Sequence, residues 1–303
     1  MLACAFRIAL LLVGAASLFA QEGAVDRDAF KLYYRSEGSG RPIVFLSGGP
    51  GLKVDYFVPA APFFPKGYRH IYLEQRGTSR SRPAKLTPEM MTLRLVVEDL
   101  EALRTHLKLD RIILAGHSWG GMLAMAYAVA HPDRVDRLIL ISSGGPNNDF
   151  RRWFSDNIVA RLHAEDIATR DRWIAVAQSG VNVAKARTEI LKAISPAYFF
   201  DRAKGLALAA SFPDDIYHSD AGSLLNQDLD KNYDVRAGLP KLARPVLILH
   251  GHQDPIGDKT AEDIKALISS ATLRYFDKCG HFPWIEAPEE MRGAIAEFLG
   301  GKK

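Results

Sequence analysis

A serine hydroxyl attacks a carbonyl only when a base takes its proton and a third group orients that base. Gly116-His117-Ser118-Trp119-Gly120 has the G-x-S-x-G spacing that holds such a serine on a sharp turn with its hydroxyl exposed. Ser118 is therefore read as a nucleophile. Asp254, in Gln253-Asp254-Pro255, and His281, in Cys279-Gly280-His281-Phe282-Pro283, supply an acid and a base in the chain order serine, acid, histidine. The tetrahedral intermediate of such a reaction needs donors already in place for its oxyanion. The backbone N–H of Trp119 is one expected donor. Gly49, in the glycine-rich stretch Ser47-Gly48-Gly49-Pro50-Gly51, is assigned as the second. The chemistry this set performs is acyl transfer from an ester or amide.

Each assignment has a competitor. Asp254 is able to cap the helix that begins near Lys259, and Asp258 competes for the acid role. His250 and His252 lie beside Asp254 but lack the late position after a strand that His281 has. His117 is read as packing within the turn, His131 as a helix end, and Cys279 as a small packing residue beside His281.

These residues need elements that bring them to one place. Arg111-Ile112-Ile113-Leu114-Ala115 is an apolar run before Ser118, and Met122 to Ala130 after it has helical composition. Pro42 to Leu46 reads as the strand before the Gly49 loop, flanked by strands at Phe30 to Arg35 and Arg69 to Leu73. Val135 to Ser142, Pro245 to Gly251 and Ala271 to Phe276 are three more strand-like runs. Met91, Leu95, Leu100, Leu103 and Leu107 give Thr87 to Leu107 a helical period. Alternating strands and helices predict a mostly parallel sheet covered on both faces. In such a sheet the loops at the carboxyl ends of the strands meet, so residues distant in sequence converge.

Three further segments join the serine turn to give a resemblance. Ser47-Gly48-Gly49-Pro50-Gly51, Asp55-Tyr56, Glu74-Gln75-Arg76-Gly77-Thr78-Ser79-Arg80-Ser81 and Gly116-His117-Ser118-Trp119-Gly120-Gly121 resemble the motif series of the prolyl aminopeptidase (proline iminopeptidase) branch of the α/β-hydrolases. The likeness covers roughly residues 28 to 145 and 241 to 298. It implies an α/β-hydrolase fold and release of an N-terminal residue from a peptide. Ser47 replaces a usual histidine, Glu74 a usual aspartate, and Ser79 stands where glycine is common. None of these changes removes a catalytic group. A carboxylesterase with the same Ser118, Asp254 and His281 is the alternative, and a non-catalytic ligand-binding fold a remote one.

The stretch 146–240 lacks strand-like runs and reads as a helical lid inserted in a core of residues 24–145 and 241–300. Trp153, Trp173, Tyr198, Phe199, Phe200 and Phe212 are the aromatics it has available to wall a substrate pocket. An aminopeptidase of this branch binds a free ammonium, which the resemblance assigns to lid acids; Glu165, Glu189, Asp214 and Asp215 are the candidates.

Residues 1–20 carry Arg7 followed by about a dozen apolar residues, short for a membrane span and suited to a signal peptide cleaved after Ala20. Export, and no stable membrane insertion after cleavage, are the expectations, with an uncleaved N-terminal anchor as the alternative. Cys279 would then be the one cysteine left, so no internal disulfide is expected. The net charge of +4 comes from interspersed acids and bases, with no basic patch for a nucleic acid. No metal-ligand cluster stands out, so the expected reaction needs neither metal nor cofactor, and its partner is a small molecule or short peptide.

Overall fold

Eight strands form one sheet: β1 (Gln21–Arg27), β2 (Phe30–Gly38), β3 (Arg41–Leu46), β4 (Tyr68–Leu73), β5 (Ile112–His117), β6 (Val135–Ile141), β7 (Val246–Gly251) and β8 (Ala271–Phe276). The computed structural model describes residues 21–300, so the signal-peptide reading of residues 1–20 lies outside the described residues. The strand order is β1-β2-β4-β3-β5-β6-β7-β8. From β4 to β8 every pairing is parallel, while β1 and β2 are antiparallel additions at one edge.

Parallel strands covered on both faces read as continuous apolar runs. Here successive residues of one strand feed two separate cores. Val44, Leu46, Ile112, Leu114, Leu138 and Leu140 go to one core. Ile43, Phe45, Ile113, Ala115, Ile139 and Ile141 go to the other. The helices α1 (Leu93–His106), α2 (Trp119–Ala130) and, much later, a helix at residues 258–267 cover the first face, through residues such as Leu100, Leu123 and Ile264.

Two expectations are corrected here. The Phe30 strand does not flank β3, because β4 pairs with β3 in parallel and β2 folds back onto the outer edge of β4, Tyr34 opposite Leu73. The helix expected from Thr87 begins at Leu93, where Thr92 Oγ1 accepts the Leu95 N–H at 3.3 Å and caps it. Met91 keeps its core position in the preceding turn, so its apolar spacing survives without helix.

Between β6 and β7 run five helices: α3 (Arg151–Arg161), α4 (Ala164–Gln178), α5 (Val183–Ile194), α6 (Arg202–Ser211) and α7 (Ser219–Asn232). After β7 come α8 (Asp258–Leu267), then β8, α9 (Pro283–Glu286) and α10 (Pro288–Gly300). Met291, Ile295 and Leu299 of α10 cover the second core. The lid helices sit over the carboxyl ends of the strands, where the loops bearing Gly49, Ser118, Asp254 and His281 gather.

Candidate active site

Ser118 joins β5 to α2 with φ 57° and ψ −119°, a conformation rarely adopted by a residue with a side chain. Its backbone holds that geometry through Ser118 N–H to Ile141 O at 3.0 Å, and its carbonyl accepts from Gly121 and Gly144 at 3.0 and 3.2 Å. The turn is tight enough that a Cβ on Gly120 would stand 2.1 Å from Leu46 O, so only glycine fits there. The result is a serine held clear of its own helix and facing the cavity under the lid.

His281 and Asp254 are both buried, and His281 Nδ1 bonds Asp254 Oδ2 at 2.8 Å. The other carboxylate oxygen, Oδ1, accepts the Ile256 N–H at 2.9 Å. Burial alone would raise the Asp254 pKa. The opposing charge and hydrogen bond of His281 outweigh it and hold the carboxyl below the usual range, so the acid stays ionised. Asp258 bonds His252 Nδ1 at 2.8 Å instead, and of the two acids weighed only Asp254 bonds His281. His281 and Ser118 line the same cavity.

His117 is fully committed. Its Nε2 donates to the His281 carbonyl at 2.9 Å, which leaves Nδ1 as the acceptor for the Tyr56 hydroxyl at 2.7 Å. Tyr56 Oη in turn accepts the Gly48 N–H at 2.6 Å. One chain of bonds thus links the glycine-rich loop, the serine turn and the histidine loop. Burial drives the His117 pKa well down, so this ring stays neutral.

The Gly48 amide is spent on Tyr56. The amides of Gly49 and Trp119 donate to no other group among the described residues. A Cβ on Gly48 would lie 3.0 Å from Ser118 Cβ, which places the loop directly against the serine. Gln75 fixes this approach: Nε2 donates to Ser47 O at 2.8 Å and to Ser47 Oγ at 3.0 Å, and Oε1 accepts Trp119 Nε1–H at 2.9 Å. Ser47 Oγ donates onward to Leu52 O, so the serine at this position has its own place in the network. Glu74 bonds Arg80, and Ser79 adopts a positive φ of 45°, keeping without glycine the backbone that glycine favours. Arg76 makes two bonds to buried Asp99, which Arg27 also contacts.

The lid is bolted to the acid loop. Trp153 Nε1 donates to Ile256 O at 2.7 Å, Asn157 Nδ2 to Pro255 O at 2.9 Å, and Arg161 to Gln253 O. The His281 N–H donates to Tyr198 O of the lid at 2.7 Å. Between lid and sheet lies a cavity of about 590 Å3, walled mainly by apolar side chains. Tyr198 and Phe212 are the two of the six lid aromatics that reach it; Trp153 is turned to the acid loop and Phe200 is exposed.

The four lid acids are placed elsewhere. Glu165 pairs with Arg202, Glu189 and Asp214 with Lys192, and Asp215 with Lys53. Among the described residues no carboxylate lines the cavity; its charged groups are Arg151 and Arg187. None of the four acids expected to hold an ammonium lines the cavity; Glu165 on α4 and Glu189 on α5, and Asp214 and Asp215 in the turn after α6, each have a cation beside them. Gln75 and Tyr56, present in the sequence motifs without an assigned role, tie the loops of the site together, and Arg187 lines the cavity. Arg187 had a visible signal, since Arg187, Ile190, Leu191 and Ile194 fall on one helix face. No group of three or more histidine, cysteine, aspartate or glutamate side chains among the described residues is arranged to hold a metal.

The α/β-hydrolase fold family matches residues 41–288. A proline iminopeptidase of Lactobacillus helveticus is 27% identical over 301 aligned positions, covering 92% of this chain and 97% of the relative. A cis-3-alkyl-4-alkyloxetan-2-one decarboxylase of Shewanella oneidensis is also 27% identical, covering 91% of this chain and 87% of the relative. Among solved structures, an α/β fold family hydrolase of Bacillus anthracis superposes with a TM-score of 0.74 at 22% identity, covering 92% of this chain and 99% of that one.

Proposed function

The chain belongs to the α/β-hydrolase family, and we propose that it is a serine hydrolase working through an acyl-enzyme on Ser118. The observation that carries this reading is the convergence of Ser118 with the His281–Asp254 pair on one cavity beside two free backbone amides. His281 Nε2 takes the proton of Ser118 Oγ as the oxygen attacks the substrate carbonyl. Asp254 holds the ring through Nδ1 and stabilises the imidazolium that forms. The Gly49 and Trp119 amides receive the oxyanion. The proton passes to the leaving group, and water, activated by the same histidine, releases the acyl group.

Two substrate readings follow. Likeness to proline iminopeptidases supports removal of an N-terminal residue from a peptide. The cavity favours an acyl group without a free ammonium, because a desolvated cation needs a carboxylate partner and the wall provides none. We adopt the acyl-hydrolase form on that ground. Export through residues 1–20 is part of the proposal, supported by their charge and apolar pattern alone.

Turnover of proline arylamide, its N-acetyl form and a short-chain aryl ester tests both forms, with Ser118→Ala as control. Ester hydrolysis lost in Ser118→Ala supports the acyl hydrolase. Cleavage of the free-amine arylamide but not its acetylated form would hand the function to the aminopeptidase. Turnover that persists in Ser118→Ala overturns the serine mechanism.

A further inference from the structure

The cavity wall contributed by α5 is a single helix face, Arg187, Ile190, Leu191 and Ile194, at spacings of three and four residues. Three of these are apolar and the fourth is a cation. The direction of the helix relative to the serine site is fixed by its carboxyl end. Ile194 leads through Ser195 to Tyr198, whose ring centroid is 5.1 Å from that of His281 and whose carbonyl bonds the His281 amide. Ile194 is therefore the triad end of the wall, and Arg187 is the far end, about 10 Å along the axis at 1.5 Å per residue.

Among the described residues Arg187 makes no salt bridge and no side-chain hydrogen bond. Glu189 and Asp214 are held by Lys192, Asp215 by Lys53 and Asp220 by Arg82. The cavity's other cation, Arg151, is engaged by Asp230 and by Asn226 Oδ1 at 2.9 Å. Tyr217 lines the cavity and also shares with Arg187 a neighbouring cleft; burial raises its phenol pKa, and Arg187 is the charge that opposes the rise. Its hydroxyl makes no hydrogen bond among the described residues, so a guanidinium and a phenolic O–H stand together as open donors at the end of an apolar track.

We propose that the substrate is an ester or amide of an acyl chain whose far end carries a carboxylate, with the chain lying along Ile194, Leu191 and Ile190 and the carboxylate received by Arg187 and Tyr217. This rests on the acyl-hydrolase reading above. A guanidinium meets a carboxylate through paired N–H donors, and charge-assisted bonds of this kind are stronger than neutral ones. The same end of the cavity repels an ammonium.

The test compares mono-p-nitrophenyl esters of dicarboxylic acids with methyl-ended p-nitrophenyl esters of equal chain length, over a series of lengths. The ratio of kcat/KM, carboxylate-ended over methyl-ended, should reach about tenfold or more once the chain spans the wall, and fall with added salt. Arg187→Gln should bring the ratio close to one, and Arg187→Lys should keep part of it. Lys185→Gln, an exposed change on the same helix, should leave the ratio intact. A ratio near one at every length, or an unchanged ratio in Arg187→Gln, overturns the proposal. If methyl-ended esters turn over without any preference, only this inference fails. If no ester turns over, or Ser118→Ala hydrolyses them as well as the native protein, the acyl-hydrolase reading fails with it.

Discussion

Gln75 accepts the indole N–H of Trp119 at 2.9 Å while its own amide nitrogen grips the backbone of Ser47 at 2.8 Å. One side chain from the loop after β4 thereby sets the distance between the glycine-rich loop and the serine turn. Both expected oxyanion donors, Gly49 and Trp119, hang on that distance.

Gln75→Leu should therefore lower kcat while changing KM little. Loss of one oxyanion donor costs about 100- to 1,000-fold, and a displaced donor costs less, so we expect a fall of about tenfold. The kcat and KM split for an aryl ester checks it. A change confined to KM would place Gln75 in substrate binding instead.

Asp254→Asn should reduce kcat by about three to four orders of magnitude with the fold retained, because the amide favours the wrong ring tautomer of His281. In the native protein the rate should rise with pH, because the base must be unprotonated to accept the serine proton. Asp254 does not contribute that limb, since His281 keeps it ionised far below it. The depressed pKa also adds stability, full above about pH 4 and lost as the pH falls through the folded-state value of about 2. Rate profiles from pH 5 to 8 and acid melts of both forms measure these effects; a flat profile would rule out a histidine base.

Asp99 is 1% exposed and bonds both Arg76 and Arg27. Asp99→Leu removes the acceptor and strands two guanidiniums, one of them buried, so we expect a loss of about 3–5 kcal/mol. Denaturant melts read it. The triad lies apart from this cluster, so the folded fraction should keep its turnover number.

Cys279 is buried beside the histidine loop, and burial pushes its thiol pKa well up. At pH 8 it stays protonated and so lacks nucleophilic character. Iodoacetamide should leave the folded protein active and Cys279 unmodified by mass spectrometry. Rapid inactivation with labelling of Cys279 would contradict this. A chelator should likewise leave the rate unchanged.

Much of the site is legible in the sequence because its parts are local. The serine turn needs glycine at close backbone approaches, and the loops at 254 and 281 each follow a buried strand, so short motifs mark them. What was not legible depends on partners far apart in the chain. The edge order of β2 and β4 depends on which strand reaches β3 first, and β1 contributes one buried side chain, Val25, so its pairing rests on backbone bonds that leave no apolar pattern. Acidity of the lid was visible, but whether Glu165 or Asp215 faces a substrate depends on cations such as Arg202 and Lys53, distant in sequence.

The three donors from α3 to the acid loop, from Trp153, Asn157 and Arg161, bear on how such a protein diversifies. A lid exchanged between relatives as an independent cassette would arrive without the side chains that hold the backbone around Asp254. Recombination that preserves function must then carry residues 253–256 along with α3, although some 90 positions separate them in the chain. New specificity is more readily reached by changes within α5 and α7, whose cavity-facing residues do not bond the acid loop.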